Sequence, residues 1–319
     1  MAKAKLPIID AEALSLESWL SKIFVERHLR TYRIEDSHFA REALRDQFLD
    51  SIRTRPELEV RNLLRLFLMQ SGTYGTDQII RGSLKNEPPE RLLELVDTNE
   101  FVRRMMEPPF IPWEGITWVL DLLPRSPSHA LGVLDSYFRA NAQFLPDGRI
   151  HGMSDAEAII RARYLNWENP RDVLLELQSD QFEFLVAALY RHLGYEVRVT
   201  QRSRDGGVDV EATRDEPGAR EMLLIQCKRY AKTVGVPAIR ESRGVVADRQ
   251  ANKGVVIATG GFTKAARTFA SRNKMIELLE FRELNVMLNR AFGAKWPNSI
   301  SYLIREEQSA AIKRSGQSP

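Results

Sequence analysis

The 319-residue chain has one cysteine and five histidines, and no apolar run near the roughly 18 residues of a membrane span. A single cysteine excludes a disulfide framework and a thiolate-built zinc site. The histidines are scattered, which counts against a histidine metal cluster. The segment Met1–Pro7 lacks the apolar stretch of a signal peptide. The expected setting is therefore reducing and cytoplasmic, with no membrane partner. No strong charge of one sign is present either: 46 basic and 43 acidic residues leave +3. That sum alone says little about partners.

The charge is unevenly spread. Residues 1–170 carry 22 basic and 25 acidic side chains, or −3, and residues 171–319 carry 24 and 18, or +6. A basic half often meets polyanions, although this surplus is modest. With 43% apolar residues the chain has material for two cores.

The front half has helical periodicity. Ser15 precedes the stripe Leu16, Trp19, Leu20, Ile23 and Phe24. Further helices are expected over 35–52, 56–70, 77–84, 89–96, 98–106, 113–123, 127–142 and 154–165. The 56–70 helix is apolar on most faces and reads as central. Together with the Ser71–Gly75 turn and helix 77–84 it has the order of a helix-turn-helix. The turn is long, however, and the second helix offers only Arg81 and Lys85. Trp113 and Trp118 read as core. With Trp167 they are only loose candidates for a base-flipping pocket.

From Val173 onward the pattern becomes α/β. Strands are expected at 195–200, 208–213, 222–228, 254–259 and 275–279, with helices at 180–193, 237–250, 263–272 and 281–290. A hairpin loop falls at Asp215–Gly218. The order is αβββαβαβα around a mixed sheet. The expected fold is thus a two-domain α+β chain, all-α in front and α/β behind. The expected divisions are a helical domain 1–150 for target or partner recognition, a linker helix 151–170, the α/β domain 171–292 and a tail 293–319. Helix is expected within Ile300–Ile312 and disorder over Lys313–Pro319.

Chemistry concentrates in Asp205-Gly-Gly-Val-Asp209 and in Gln226-Cys-Lys228, which starts seventeen residues after Asp209. If Thr213 or Arg214 pairs near Met222 or Glu221, Asp209 falls opposite Gln226. Asp209, Gln226 and Lys228 then share a face, with the Cys227 side chain on the other. A slip of one residue would break this grouping. A hard cation such as Mg²⁺ takes a carboxylate, a backbone carbonyl and waters, and can polarise a phosphoryl oxygen. A neighbouring lysine offsets charge in the transition state. Glu183 on the preceding helix can reach the same metal.

Simpler readings stand beside these. Asp209 and Lys228 also suit a surface ion pair worth about 0–1 kcal/mol. Asp180-x-x-Glu183 fits a capping box. Asp205 fits a turn former, and the Cys227 side chain fits packing. Gly260-Gly261 before Thr263 fits either an anion nest or a left-handed turn.

Phe182-Glu183, Leu193-Gly-Tyr195, Asp205-Gly-Gly-Val-Asp209, Gln226-Cys-Lys-Arg229, Val255-Val-Ile-Ala-Thr259 and Gly261-Phe-Thr-Lys-Ala265 follow in order. Together they resemble the catalytic domain of Mrr-type restriction endonucleases, in the glutamine-bearing QxK branch of the PD-(D/E)xK nuclease superfamily. The resemblance covers residues 171–290 and none of the front half. It implies a restriction-endonuclease-like fold and a Mg²⁺-dependent DNA endonuclease, with Mn²⁺ able to substitute. The implied role is restriction or defence against foreign or modified DNA. Asp209 is then the metal carboxylate, Gln226 and Lys228 the QxK pair, and Glu183 the helix glutamate. The backbone carbonyl of Cys227 is a further metal oxygen. Arg204, Arg229, Lys232, Arg240, Arg243, Thr263 and Lys264 are the expected DNA contacts, and Asp205 is an additional candidate. Two departures fall off this cluster. Glu280-Phe281 stands where the family usually has an aspartate-glycine pair, and Ala-Thr-Gly-Gly261 replaces a threonine/serine run.

A homo-oligomer, and a protein partner for the acidic front half, also fit. The competing functions are a structure-selective nuclease on branched DNA or RNA, and a non-catalytic DNA-binding module with a nuclease fold.

Overall fold

A computed structural model describes residues 6–29, 31–165, 169–200, 207–216 and 219–315. Arg204, Asp205, Trp167 and the Pro217-Gly218 turn lie outside the described residues. The chain divides into two compact units, Met1–Asn166 and Trp167–Pro319.

The first unit is helical: α1 (Leu16–Phe24), α2 (Glu42–Ser51), α3 (Glu57–Phe67), α4 (Gly75–Leu84), α5 (Pro89–Thr98), α6 (Glu100–Met106), α7 (Pro127–Asn141) and α8 (Asp147–Tyr164). Ser15 caps α1 by accepting from the Ser18 N–H, as its position implied. Trp19, Phe39, Phe48 and Phe67 form an aromatic centre, with Phe39 and Phe67 rings 5.0 Å apart.

Helix α8 runs through the core of this unit. Its buried residues run without a break from Gly152 to Arg161. Helix 56–70 is central as expected, with Val60, Leu63, Leu64, Phe67, Leu68 and Met69 fully buried, whereas the reading of 151–170 as a linker is corrected. The polar residues of α8 are accommodated inside the core. Glu157 and Arg161 pair at 3.1 Å, and Asp155 accepts from the Phe39 N–H at 2.8 Å. Each partner offsets part of the other's desolvation cost.

Trp113 is core, with its indole N–H on the buried Asp77 carboxylate. Trp118 is 53% exposed, contrary to expectation. Instead of a full helix over 113–123 the chain forms a short 3₁₀ turn, Thr117–Leu122, which buries Val119 and Leu120. Asp77 also accepts from the Tyr74 N–H, so α4 is pinned at its start to Trp113.

The second unit runs α9 (Pro170–Glu176), α10 (Ser179–His192), β1 (Glu196–Val199), β2 (Val210–Glu216), β3 (Ala219–Lys228), α11 (Val236–Asp248), β4 (Lys253–Ala258), α12 (Lys264–Ser271), β5 (Ile276–Glu280), α13 (Phe281–Phe292) and α14 (Trp296–Ser315). The sheet order is β1-β2-β3-β4-β5. The β1–β2 and β2–β3 pairs are antiparallel, and β3–β4 and β4–β5 are parallel. The expected mixed sheet and the helical front are both present.

Alternation along β3 separates two cores. Leu223, Ile225 and Cys227 pack with α10, α13 and α14, whereas Leu224 faces the α11 and α12 side. Residues 293–319 are not simply a tail, and Lys313–Ser315 are helical. α14 buries Trp296, Ile300 and Ile304 in the core with α10, and Glu307 pairs with Arg191. Among the described residues no helix is long and apolar enough to cross a membrane.

Candidate active site

The hairpin register puts Thr213 opposite Met222 and Arg214 opposite Glu221, and the ladder ends at Val210 and Ile225. Asp209 stands just beyond that end. Its N–H donates to the Ile225 carbonyl at 2.9 Å, and its Oδ2 accepts the Cys227 N–H at 2.7 Å. The carboxylate is thereby fixed against the open end of β3. Gln226 and Lys228 lie on the Leu224 face, and the Cys227 side chain packs on the other. Gln226 is buried, and Asp209 and Lys228 are half-buried.

Glu183 comes from α10, on the Cys227 side of the sheet, and is 6% exposed. The alternative capping box of Asp180 and Glu183 does not form, because α10 starts at Ser179 and its capping box joins Gln178 and Gln181. Gln181, not Glu183, returns to the Gln178 N–H at 2.9 Å, and Asp180 accepts from the Gln181 N–H. Burial pushes the Cys227 thiol well above its ordinary range. The charges of Asp209 and then Glu183 push it the same way, and Lys228 opposes them. The Cys227 N–H is on the Asp209 carboxylate, while its side chain packs on the α10 face.

Gly207 closes the site from the loop side. Its φ is +81°, and an added Cβ would stand 2.7 Å from Nε2 of Gln226. The positive φ is what calls for glycine here. Oε1 of Gln226 is buried and has no hydrogen-bond partner among the described residues. A buried amide oxygen left unsatisfied costs about 1–3 kcal/mol, so this atom is suited to a ligand. Among the described residues no three His, Cys, Asp or Glu side chains converge. A cation held here draws on the Asp209 carboxylate, amide and peptide oxygens and water. That is a hard, oxygen-rich set of the Mg²⁺ kind.

The expected DNA contacts separate into groups. Arg240 and Lys264 line an open groove of about 560 Å³ between α11 and α12, with Thr268, Phe269 and Arg272. The Arg240 guanidinium lies over the Phe269 ring at 5.5 Å. Lys232 and Arg243 are exposed. Thr263 caps α12 by accepting from the Ala266 N–H. Arg229 is turned inward, donating to the Leu175 carbonyl in the last turn of α9. Gly261 has φ +77° and donates its N–H to the Ala258 carbonyl. A Cβ at Gly260 would meet the Lys232 and Tyr230 carbonyls at 2.2 and 2.5 Å. Close backbone packing and a left-handed turn account for this pair of glycines. Glu280 pairs with Arg267 at 2.7 Å, and its N–H is capped by Glu283, so the departure from aspartate-glycine starts α13.

Sequence reasoning missed Glu241. Its Oε1 stands 3.7 Å from the place a Gly207 Cβ would take. No local motif announces it, because the approach of α11 to Gly207 is purely tertiary.

Residues 174–288 match the family model Mrr_cat, described as restriction endonuclease. This stretch is an Mrr_cat restriction endonuclease domain. The type IV methyl-directed restriction enzyme EcoKMrr of Escherichia coli (strain K12) is 32% identical over 126 residues, 38% of this chain and 41% of that protein. The chain thus spans about two fifths of the length of that curated relative. Two solved structures are partly similar. The DNA modification-dependent restriction endonuclease AspBHI is 20% identical, covering 45% of this chain and 41% of that one, with a TM-score of 0.36. The MspJI restriction endonuclease in complex with a 27-mer oligonucleotide is 16% identical, covering 51% and 36%, with a TM-score of 0.32. The Mrr_cat match spans the described part of the site, from Glu183 through Lys228 to the α11–α12 groove.

Proposed function

We propose that this protein is a Mg²⁺-dependent DNA endonuclease that restricts foreign or modified DNA in the cytoplasm. The carrying observation is the Asp209 carboxylate held on the Cys227 N–H, in the strand segment between Gln226 and Lys228 at the open end of β3, within the Mrr_cat domain. A divalent cation held by Asp209 and the Gln226 oxygen would polarise the scissile phosphoryl group. Lys228 offsets the charge that develops there and orients the attacking water. Glu183 adds negative charge from the α10 side. The name of the E. coli relative, methyl-directed, supports modified DNA as the target.

The α11–α12 groove supports a phosphate-tracking surface beside the site. Replacing both Arg240 and Lys264 with alanine is expected to weaken duplex binding equally across sequences. The slope of log K against log salt should then fall by about 2, since each lost phosphate contact removes about 0.9. Fluorescence anisotropy at several salt concentrations measures this, and an unchanged slope excludes the groove.

The function itself is tested by incubating the full-length protein and Mg²⁺ with matched methylated and unmethylated DNAs. Cutting of the methylated DNA in preference to its partner is expected. Preference for four-way junctions over every linear duplex would replace this reading with a structure-selective one.

A further inference from the structure

Lys228 is the last residue of β3, and a strand end is where a ladder ordinarily frays. This end is instead tied down. The Lys228 carbonyl accepts the Tyr230 N–H at 3.0 Å and the Thr259 N–H at 3.2 Å. Thr259, just past β4 and 1% exposed, also donates its hydroxyl to the Tyr230 carbonyl at 3.0 Å. The Thr259 carbonyl in turn accepts Nε of Arg171 at 3.0 Å, and Arg171 belongs to α9. The residue after the lysine answers from the other side, because Arg229 donates to the Leu175 carbonyl in the last turn of α9. Two arginines thus run in opposite directions between α9 and the segment that carries Lys228. Their anchor is firm, since Val173, Leu174 and Leu177 are buried in the core with α10. A lysine ammonium is a point charge on a flexible stem, so its placement depends on the backbone that carries it.

We propose that Arg171 and Arg229 are positioning residues that hold the Lys228 end of β3 against α9 and so fix where the ammonium stands. This rests on the nuclease reading given above. Both arginines act through Lys228, and Arg229 spends its side chain on α9 where the sequence suggested a DNA contact.

The test uses full-length protein and two readouts. The first is hydrogen–deuterium exchange without metal or DNA. In Arg171→Ala the Tyr230 and Thr259 amides, both on the Lys228 carbonyl, are expected to exchange about tenfold faster, the scale of losing one charge-assisted hydrogen bond. Amides in the middle of β3 should keep the wild-type rate. The second is single-turnover cleavage at saturating DNA with Mg²⁺, beside duplex affinity at several salt concentrations. Arg171→Ala and Arg229→Ala are each expected to cut about ten- to a hundredfold more slowly, the scale of a small misplacement at the reacting centre, with affinity and salt slope unchanged. Arg171→Lys, which keeps a donor for the Thr259 carbonyl, should cut near the wild-type rate. In a Lys228→Ala background neither arginine replacement should slow cutting further. If Arg171→Ala does not fold, Arg229→Ala carries the same exchange and rate comparisons. Unchanged exchange overturns the proposal. An equal loss of rate in both backgrounds also overturns it, since that pattern marks a general structural effect. A salt slope lowered by about 0.9 in Arg229→Ala makes that arginine a phosphate contact and overturns its positioning role. Equal cutting by wild type and Lys228→Ala, or none by either, overturns the nuclease reading itself. A loss in Lys228→Ala with normal exchange and cutting in Arg171→Ala confines the failure to the positioning role.

Discussion

Lys228→Ala lowers the rate of DNA cleavage by at least about 10²- to 10³-fold, the scale of removing one preorganised stabiliser of transition-state charge. Asp209→Ala lowers it at least as far, and the two losses differ in kind. Lys228 lies beside the oxygen set but contributes no oxygen to it, so Mn²⁺ affinity in Lys228→Ala stays near wild type. Asp209 supplies the one carboxylate held directly against β3 by the Cys227 N–H, so its removal lowers metal affinity and cleavage together. Single-turnover cleavage paired with metal titration separates the two. Equal metal loss in both variants would count against the roles assigned here.

Gly152→Ala strongly destabilises the helical unit without touching the nuclease site. At this position α8 runs against two other backbone segments. An added Cβ would stand 2.1 Å from the Ser37 carbonyl oxygen and 2.6 Å from that of Phe67. Neither obstacle is the flexible end of a side chain, so relief requires moving the backbone of a core with little free space. Overpacking of this kind costs about 1–3 kcal/mol or more. For a unit of this size that lowers the melting temperature by roughly 2–12 °C. Thermal melting by circular dichroism measures it. A melting temperature within a degree of wild type would show that α8 has room the structure does not display. Gly132→Ala, where an added Cβ meets nothing within 4 Å, is the matched control.

The site was legible where its geometry is local. The Pro217-Gly218 turn signal and the alternation of residues 208–213 and 222–228 set the pairing of Thr213 with Met222, and that pairing brings Asp209 to β3. The identity of Glu241 was hidden because nothing in α11 distinguishes it from neighbouring solvated charges. Only its nearness to Gly207 in the folded chain does so. Arg229 was misjudged for the related reason that a sequence does not show where a long side chain folds back. It ends on the Leu175 carbonyl. In the front half, charge misled. Asp155, Glu157 and Arg161 make α8 read as a polar linker, yet hydrogen bonding and pairing let all three be buried. Its net −3 still counts against a second strong DNA-binding surface, and the +6 of the other half lies with the nuclease constellation.

The most direct measurement is cleavage of susceptible plasmid DNA by the full-length protein across a divalent-metal series, with EDTA and Asp209→Ala alongside. The expected result is cutting with Mg²⁺ or Mn²⁺, none in EDTA and none by the variant. Intact DNA with every metal, or cutting by Asp209→Ala at the wild-type rate, would contradict a metal-dependent nuclease centred on Asp209.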